Sequence, residues 1–370
     1  METHDIAYMN RALELARKGI GLASPNPTVG AVLVKDGQVI GEGFHQYDWR
    51  DHAEIVALKS AGRNAQGAAL YVSFEPCCIT GRTGPCTDAI LRAKIRRVVA
   101  AMPDPNPAVA GRALAQLRGA GLAVESGVCE AEAHRLNEGF ACWITQKRPF
   151  LTLKSALTLD GQLALPQSGK RKSATWITSE ESRAEVHRMR HASDALLTGI
   201  GTILADDPLL TDRSGLSRRR KLLRVILDSR LRLPLKSKLV KTADEDVLVM
   251  TAQPPKNPRA RALQKAGIEI FQTRGQGGRP DLKAVLRELG KRDILSVILE
   301  AGSALNGAAL ASGVVDKLFL FYAARVAGRP DVPFALANRL ALGALENISV
   351  HRYGPDFAIE GYLTNVYRNH

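Results

Sequence analysis

Three of the five cysteines in this chain lie within ten residues of one another, and this cluster constrains the fold more than any other feature. Cys77, Cys78 and Cys86 fall between a predicted strand and a predicted helix. An odd number of cysteines, in a long chain whose acidic N-terminus lacks a hydrophobic signal core, argues against a disulfide framework and favours metal binding or catalysis. Cys129 and Cys142 stand alone, and we interpret them as buried thiols.

A histidine motif upstream completes a candidate zinc site. His52-Ala53-Glu54 opens a predicted helix, Pro76-Cys77 follows a strand, and Cys86 opens the next helix. One imidazole and two thiolates supply the three protein ligands of a catalytic zinc, whose fourth position stays open for water. We therefore predict His52, Cys77 and Cys86 as ligands, with Cys78 as the rival of Cys77. Glu54 is two residues after His52, so it can face the same cavity without ligating, and it is predicted to carry a proton from the attacking water to the leaving amine.

Helix and strand signals alternate along the chain, which predicts an α/β fold. At 370 residues the chain has room for two or three domains. Pro149 follows the basic pair Lys147-Arg148, and we place a boundary there, between a domain 1–147 and a domain 148–370. The last helix of the first domain is predicted over 130–139, where Gly139 would end it. The second domain is predicted to contain a largely parallel sheet.

Two segments of the second domain are typical of nucleotide sites. Glu300-Ala301-Gly302 ends a buried strand and opens a helix, where backbone N–H groups attract phosphate, although a routine strand-to-helix turn has the same pattern. Gly199-Ile200-Gly201 is a partial match to a dinucleotide motif, but this pattern is more often a plain turn. Arg190 and Arg213 are either phosphate-binding forks or solvated side chains. Trp176 either stacks on a ring or fills the core.

The formal net charge is +14, and part of the excess lies in the run Arg218-Arg219-Arg220-Lys221. Such a run is either a solvated loop or a contact for a phosphorylated ligand or nucleic acid. No aromatic residues interleave with it, so a stacking platform for single strands is not supported.

The cysteine segment resembles the deaminase motif of the bifunctional riboflavin biosynthesis deaminase/reductase family. Eight residues separate the two motif cysteines in the segment from Glu75-Pro76-Cys77 to Gly84-Pro85-Cys86, as in that family. Zinc deaminases that act on nucleic-acid bases have only two residues between these cysteines. Further matching segments follow in family order over nearly the whole chain. They are Pro25–Gly30, His52–Glu54, Asp104–Pro107, Lys154–Gly161, Trp176–Ser179, Ala205–Pro208 and Glu300–Gly302.

The resemblance implies a cytidine-deaminase-like domain followed by a dihydrofolate-reductase-like domain, with Zn²⁺ and NADPH as cofactors. It implies deamination of 2,5-diamino-6-(5-phosphoribosylamino)pyrimidin-4-one and then reduction of the ribosyl group to ribityl. Glu54, Lys154 and Glu300 match catalytic positions. The positions that match NADPH contacts are Ala156, Trp176, Thr202, Asp206, Ser229, Gly302, Ser303 and Ala304. The positions that match substrate contacts are Asn26, His45, Arg82, Arg190, Leu210, Arg213 and Glu300.

The chain departs from the family pattern at three places. Cys78-Ile79-Thr80 stands where relatives carry Ser-His-His or Ser-His-Tyr, Ser24 replaces a frequent histidine, and a basic insert spans Gly169–Lys172. The partners implied are a phosphorylated pyrimidine and copies of the chain itself, as a dimer or tetramer. We expect a cytoplasmic location, no nucleic-acid partner and no membrane segment.

Two alternative functions share the zinc cluster. A transfer-RNA base deaminase with a basic C-terminal binding domain would use the positive charge, but it predicts two residues between the motif cysteines. A non-enzymatic zinc-structured protein that binds nucleic acid would close the metal with four ligands, which requires Cys78 to join. Salt-dependent transfer-RNA binding without NADPH binding would favour the first of them.

Overall fold

The computed structural model describes residues 3–163, 176–254, 256–273, 275–328, 332–336 and 344–367. The chain divides into two compact units. Unit 1 comprises Met1–Lys147, Ser217–Arg220 and Val366–His370, and unit 2 comprises Arg148–Leu216 and Lys221–Asn365. Unit 1 therefore takes in two short segments that follow residue 147 in the sequence. The basic insert at 169–172 lies outside the described residues.

Unit 1 is built on a five-stranded sheet in the order β2-β1-β3-β4-β5. Its strands are β1 (Gly30–Lys35), β2 (Gln38–Phe44), β3 (Ala69–Val72), β4 (Arg97–Ala100) and β5 (Ala123–Ser126). β1 pairs antiparallel with β2 and β3, while β3, β4 and β5 run parallel. Because β1 and β3 are buried along almost their whole length, their apolar runs lie in the core.

Within the part of unit 1 that the structure describes, five α-helices accompany this sheet. They are α1 (Thr3–Lys18), α2 (Ala53–Ala61), α3 (Cys86–Arg92), α4 (Arg112–Gly119) and α5 (Glu130–Gln146). Helix α2 lies unusually close to β2, because β2 presents glycines to it. A Cβ added at Gly43 would lie 2.4 Å from the Ala53 carbonyl oxygen, and one added at Gly41 would lie 2.5 Å from that of Ala57. These two glycines therefore set the distance between the sheet and α2, and with it the position of His52, which directly precedes the helix.

Unit 2 contains a nine-stranded sheet in the order β10-β9-β8-β7-β13-β6-β14-β16-β15. The strands are β6 (Phe150–Thr158), β7 (Ala195–Gly199), β8 (Leu223–Leu227), β9 (Val247–Thr251), β10 (Glu269–Gln272), β13 (Ser296–Leu299), β14 (Lys317–Ala323), β15 (Glu346–Tyr353) and β16 (Asp356–Tyr362). The seven strands from β10 to β14 in this order are parallel, and β16 pairs antiparallel with both β14 and β15. A separate two-stranded ribbon pairs β11 (Gly275–Gln276) with β12 (Arg279–Pro280).

The described residues of unit 2 include six helices, and buried side chains form separate apolar clusters within it. The helices are α6 (Glu180–Ala192), α7 (Ile200–Asp206), α8 (Lys238–Lys241), α9 (Pro258–Lys265), α10 (Leu282–Lys291) and α11 (Ser303–Ala311). None of the helices within the described ranges is long and apolar enough to span a membrane.

The predicted α/β fold is confirmed, while several local expectations are wrong. Helix α5 continues to Gln146, because burial of Ala141 and Cys142 on the following turn outweighs the roughly 1 kcal/mol cost of Gly139 in a helix. The Gly199-Ile200-Gly201 segment is no plain turn, since α7 begins at Ile200. Cys142 is buried as expected, but Cys129 is only partly buried.

Candidate active sites

The predicted zinc residues converge in unit 1. His52 Nδ1 lies 3.1 Å from Cys86 Sγ and 3.3 Å from Cys77 Sγ. The three candidate ligand atoms all lie within 4.8 Å of one another. This donor set, one imidazole and two thiols around a common centre, fits a zinc ion with an open fourth position. Cys78 is not part of this group, and its side chain is partly buried.

Secondary structure fixes these three residues. His52 precedes the first residue of α2, Cys77 follows β3, and Cys86 is the first residue of α3. The backbone N–H of Cys86 donates to Cys77 Sγ over 3.2 Å. Hydrogen bonds from the Cys86 thiol and from His52 lower the pKa of Cys77, and the hydrogen bond to Cys77 raises the pKa of His52. The geometry thus favours a thiolate at Cys77 facing an imidazole.

Glu54 is buried in the first turn of α2, with 3% of its surface exposed. Burial raises the pKa of its carboxyl, and the charge of His52 acts in the opposite direction. Its carboxyl interacts with the Cys86 thiol, so it reaches the metal group without belonging to the ligand set. A carboxyl held beside a metal centre in this way is placed to take up and release a proton.

Asn26, His45 and Arg82 border the same centre. Asn26 Nδ2 lies 3.0 Å from His45 Nε2, and the His45 ring is 5.4 Å from the His52 ring. His45 Nδ1 lies 2.9 Å from the Asp51 carbonyl oxygen, so Nδ1 carries the proton and Nε2 accepts from the amide. Burial lowers the pKa of His45, which keeps the ring neutral. Arg82 lies in the loop before α3, with its guanidinium 4.0 Å from the Tyr47 ring centroid.

The contacts that Glu75 and Tyr47 make around this centre could not be predicted from the sequence. The buried Glu75 carboxylate accepts four backbone hydrogen bonds, three of them from the N-terminus of α4. It thereby anchors the loop that presents Cys77 two residues later. A Glu-Pro-Cys sequence after a strand carries this signal, but only the tertiary structure shows which donors it meets.

In unit 2, Lys154, Arg190 and Glu300 form one buried cluster. The Glu300 carboxylate accepts from Arg190 Nε over 2.7 Å and Nη2 over 2.9 Å, and Lys154 Nζ lies 3.5 Å from Glu300 Oε2. Burial opposes ionisation of Glu300, but the charges of Lys154 and Arg190 outweigh it and lower its pKa to about 2. Burial lowers the pKa of Lys154. Arg190 also donates to the Thr211 carbonyl oxygen, so its guanidinium is committed to these protein partners.

The predicted cofactor positions lie toward the carboxyl ends of the parallel strands. Thr202 and Asp206 lie on α7 directly after β7, and Ser229 follows β8. Gly302 precedes α11, whose first residues are Ser303 and Ala304. A crevice at the carboxyl ends of parallel strands is where open α/β sheets bind nucleotides. Ser303 is buried and donates to the Pro333 carbonyl oxygen, so its hydroxyl is engaged within the protein.

The remaining predicted positions differ in exposure. Ala156 lies on β6 two residues after Lys154 and is partly buried. Trp176 does not fill the core, since 62% of it is exposed and the Arg183 guanidinium lies 5.1 Å from its ring. Leu210 is buried with a left-handed φ of 56°, and Arg213 is exposed.

A cavity of about 470 Å³ opens next to Ser229. It is lined by Ser229, Arg230, Arg232, Gln253, Gly277, Gly278 and Arg279. Its three arginines supply the fixed donor forks that bind phosphate, so the cavity fits the phosphate groups of a nucleotide cofactor. Among these residues only Ser229 is predicted from the sequence, because Arg279 lies far along the chain from Arg230 and Arg232 and the three arginines form no motif.

The departures from the family pattern are also placed. Ile79 is 49% exposed in the loop between β3 and α3. Ser24 Oγ accepts a hydrogen bond from Arg220 Nη2 over 2.7 Å. The basic run is not a uniformly solvated loop, because Arg219 is only 22% exposed and pairs with Asp48.

The fold and sites define a zinc-dependent deaminase of the cytidine deaminase type joined to a reductase. Residues 2–102 match the family described as the cytidine and deoxycytidylate deaminase zinc-binding region, and residues 149–359 match the RibD C-terminal domain. The chain belongs to the family of the riboflavin biosynthesis protein RibD, the bifunctional deaminase/reductases. Zn²⁺ and NADPH are accordingly its cofactors, as the sequence predicted.

Relatives match along most of the chain. The RibD of Aquifex aeolicus is 43% identical over 88% of this chain and 88% of its own, and that of Escherichia coli is 40% identical over 88% and 89%. The solved structure of Acinetobacter baumannii RibD has a TM-score of 0.85 at 36% identity, covering 98% of this chain and 99% of that one. The family assignment confirms the predicted enzyme class and disfavours a transfer-RNA deaminase, because the reductase half matches as well.

Proposed function

We propose that unit 1 deaminates 2,5-diamino-6-(5-phosphoribosylamino)pyrimidin-4-one and that unit 2 reduces the ribosyl group of the product to a ribityl group with NADPH. The convergence of His52, Cys77 and Cys86 beside buried Glu54 carries the proposal. It is supported by the Thermotoga maritima diaminohydroxyphosphoribosylaminopyrimidine deaminase/5-amino-6-(5-phosphoribosylamino)uracil reductase. That structure is 36% identical and has a TM-score of 0.82, covering 98% of this chain and 99% of its own.

In unit 1, His52, Cys77 and Cys86 would hold the zinc, which when bound lowers the pKa of a water at its open position. Glu54 would take a proton at its carboxylate and return it to the leaving amine. The hydrogen bond between Asn26 Nδ2 and neutral His45 leaves the Asn26 amide oxygen to accept from a ring N–H of the substrate. Arg82, on the rim of the site, carries a positive charge for the substrate phosphate.

In unit 2, NADPH supplies the reducing hydride. The N-terminus of α11, from Gly302 through Ser303 to Ala304, offers backbone N–H groups to its pyrophosphate. The arginine-lined cavity beside Ser229 would hold a further phosphate. The same cofactor would lie along Ala156, Trp176, Thr202 and Asp206.

The buried charge cluster of unit 2 would face the ribosyl group. Lys154 would hold a proton at Nζ next to the sugar, and Glu300 would orient both Lys154 and the sugar hydroxyls. Arg190 would act by fixing the Glu300 carboxylate, since its own donors are engaged by Glu300 and Thr211. Leu210 and exposed Arg213 would border the substrate.

The test is a single-tube assay of the zinc-loaded full-length protein with the diaminopyrimidinone phosphate and NADPH, following ammonia and NADPH together. We expect both signals, and we expect a zinc chelator to stop both because the reductase then receives no substrate. Adding the deaminated intermediate to the chelated protein should restore NADPH consumption. A folded, zinc-loaded sample that releases no ammonia would contradict the assignment of unit 1, and one that consumes no NADPH with the intermediate would contradict that of unit 2.

The assembly state and the cellular location remain predictions from the sequence. We propose a homo-oligomer, either dimer or tetramer, in the cytoplasm. Sedimentation at several protein concentrations would measure the first.

A further inference from the structure

We infer that Arg219 is a positioning residue of the deaminase site, which the segment Ser217–Arg220 completes from a distant part of the sequence. The inference rests on the function proposed for unit 1. Arg219 joins two loops: the first carries Asn26 and the second follows His45. These are the two side chains that form a hydrogen bond at the rim of the metal group.

The first loop is held by the backbone and the side chains of the segment. The Arg219 N–H donates to the Gly21 carbonyl oxygen over 2.8 Å, and Arg219 Nη1 donates to the Ser24 carbonyl oxygen over 3.1 Å. Arg220 Nη2 donates to Ser24 Oγ over 2.7 Å. Arg219 and Ser24 are 195 residues apart in sequence, and Asn26 follows Ser24 by two residues. The position of Asn26 therefore depends on this distant segment.

The second loop is held by the same guanidinium. Arg219 Nε donates to Asp48 Oδ1 over 2.8 Å, and the guanidinium lies 3.9 Å from the Tyr47 ring centroid. Arg82 lies 4.0 Å from the same centroid and donates to the Tyr47 carbonyl oxygen over 3.2 Å. Both arginines therefore pack against the Tyr47 ring, and one of them, Arg82, matches a substrate position. Loss of Arg219 would loosen Tyr47 and, through it, Arg82.

The exposure of Arg219 separates it from the rest of the basic run. Its side chain is 22% exposed, whereas Lys221 is 57% exposed and pairs with Asp244 in unit 2. A planar guanidinium can donate along two edges while one face stacks on an aromatic ring, and a lysine ammonium cannot. Arg219 donates hydrogen bonds and also stacks on Tyr47, so a positive charge alone could not make the same contacts.

None of these contacts involves the zinc residues or Glu54, which makes the expected kinetic effect specific. Loosening Asn26, His45 and Arg82 weakens substrate binding and raises KM for deamination, while kcat and zinc content stay close to wild type. A residue that merely stabilised unit 1 would instead lower the active fraction, which reduces apparent kcat and leaves KM unchanged.

The experiment compares Arg219→Ala, Arg219→Lys and the control Lys221→Ala in the full-length protein. Ammonia release gives KM and kcat, zinc is quantified, and NADPH consumption with the deaminated intermediate reports on unit 2. We expect Arg219→Ala to raise the deaminase KM about tenfold, equivalent to about 1.4 kcal/mol. Lys221→Ala should match wild type, Arg219→Lys should not restore KM, and reduction should be unchanged in all three.

Three outcomes would contradict the positioning role of Arg219: a KM of Arg219→Ala equal to that of Lys221→Ala, a fall in kcat alone, or a wild-type KM in Arg219→Lys. Should Arg219→Ala prove insoluble, Asp48→Asn removes one anchor from an exposed position and should raise KM less, in the same direction. Wild-type protein without ammonia release would contradict the proposed function of unit 1, whereas active wild type with an unaffected Arg219→Ala contradicts only this inference.

Discussion

One edge of the Arg190 guanidinium binds both oxygens of the Glu300 carboxylate, with Nε–Oε1 at 2.7 Å and Nη2–Oε2 at 2.9 Å. Lys154 Nζ lies 3.5 Å from Oε2, so one buried carboxylate is the counter-ion of two buried cations. Loss of this carboxylate would leave both cations unpaired, which is costly in a buried setting.

Glu300→Gln is expected to abolish reduction and to destabilise unit 2 by about 3–5 kcal/mol, since it leaves Lys154 and Arg190 without their counter-charge. Ammonia release should persist at the wild-type rate. NADPH consumption with the deaminated intermediate and chemical denaturation measure the two effects. Glu288→Gln is the matched control, because Glu288 pairs with Arg292 at a more exposed site and should cost no more than about 1 kcal/mol. Equal stabilities of the two variants would contradict the role of the cluster.

Acid should remove part of the stability of unit 2 through Glu300. Its pKa is about 2 in the folded chain against an ordinary value of 4.5, because Lys154 and Arg190 outweigh the effect of burial. The folded state binds this proton more weakly, so the contribution is fully present above pH 4.5 and is lost as the pH falls toward 2. The advantage of wild type over Glu300→Gln should shrink by up to about 3 kcal/mol over this interval. An advantage independent of pH would show that the pKa is not lowered.

The three candidate zinc ligands could be predicted from the sequence because each lies at the boundary of a predicted helix or strand. His52 and Cys86 lie at the starts of helices, and Cys77 follows a strand. Each of these element boundaries can be predicted from the apolar runs and turn residues nearby. The residues of the unit 2 cluster were predicted by resemblance, but their contacts were not. The register of β6 places Lys154 beside the end of β13, and Arg190 reaches Glu300 from α6.

Other features depend on contacts between distant residues and leave no local pattern. Arg219 looks like any member of a basic run until its contacts with Ser24 and Tyr47 are known. The hairpin β15–β16 was not predicted, because β15 is largely exposed and so lacks a clean apolar alternation.

Glu54→Gln is expected to lower the rate of ammonia release by about 10²–10⁴-fold, because an amide cannot accept and return the proton. Zinc content should match wild type, since Glu54 is not among the three converging ligand residues. Reduction of the deaminated intermediate should continue, which provides the internal control for folding. Retained deamination would remove Glu54 from the role of proton carrier, and loss of zinc would assign it to the metal site instead.

Gly43→Ala is expected to disrupt the metal group without touching a ligand. The added Cβ would lie 2.4 Å from the Ala53 carbonyl oxygen, so α2 must move away from β2 and take His52 and Glu54 with it. We expect reduced zinc content and at least tenfold slower ammonia release, by the sensitivity of catalysis to displacements of about 1 Å. Gly119→Ala is the control, since the same added atom meets nothing within 4 Å there. Wild-type zinc content in Gly43→Ala would contradict this account.

Glu75→Gln tests whether the anchoring carboxylate supports Cys77. The two carboxylate oxygens accept from the N–H groups of Asp104, Gly111, Ala113 and Leu114 over 2.9, 2.8, 2.9 and 3.3 Å. In the variant one oxygen becomes an NH₂ group that faces donors, and the negative charge at the N-terminus of α4 is lost. We expect unit 1 to lose about 3 kcal/mol of stability, because hydrogen bonds to a buried charge are worth about 1.5–3 kcal/mol each. Zinc should also dissociate at lower chelator concentrations than in wild type, while Glu14→Gln, at an exposed side chain of α1, should change neither property. If zinc retention in Glu75→Gln equals that of Glu14→Gln while stability falls, the carboxylate supports α4 alone and has no part in presenting Cys77.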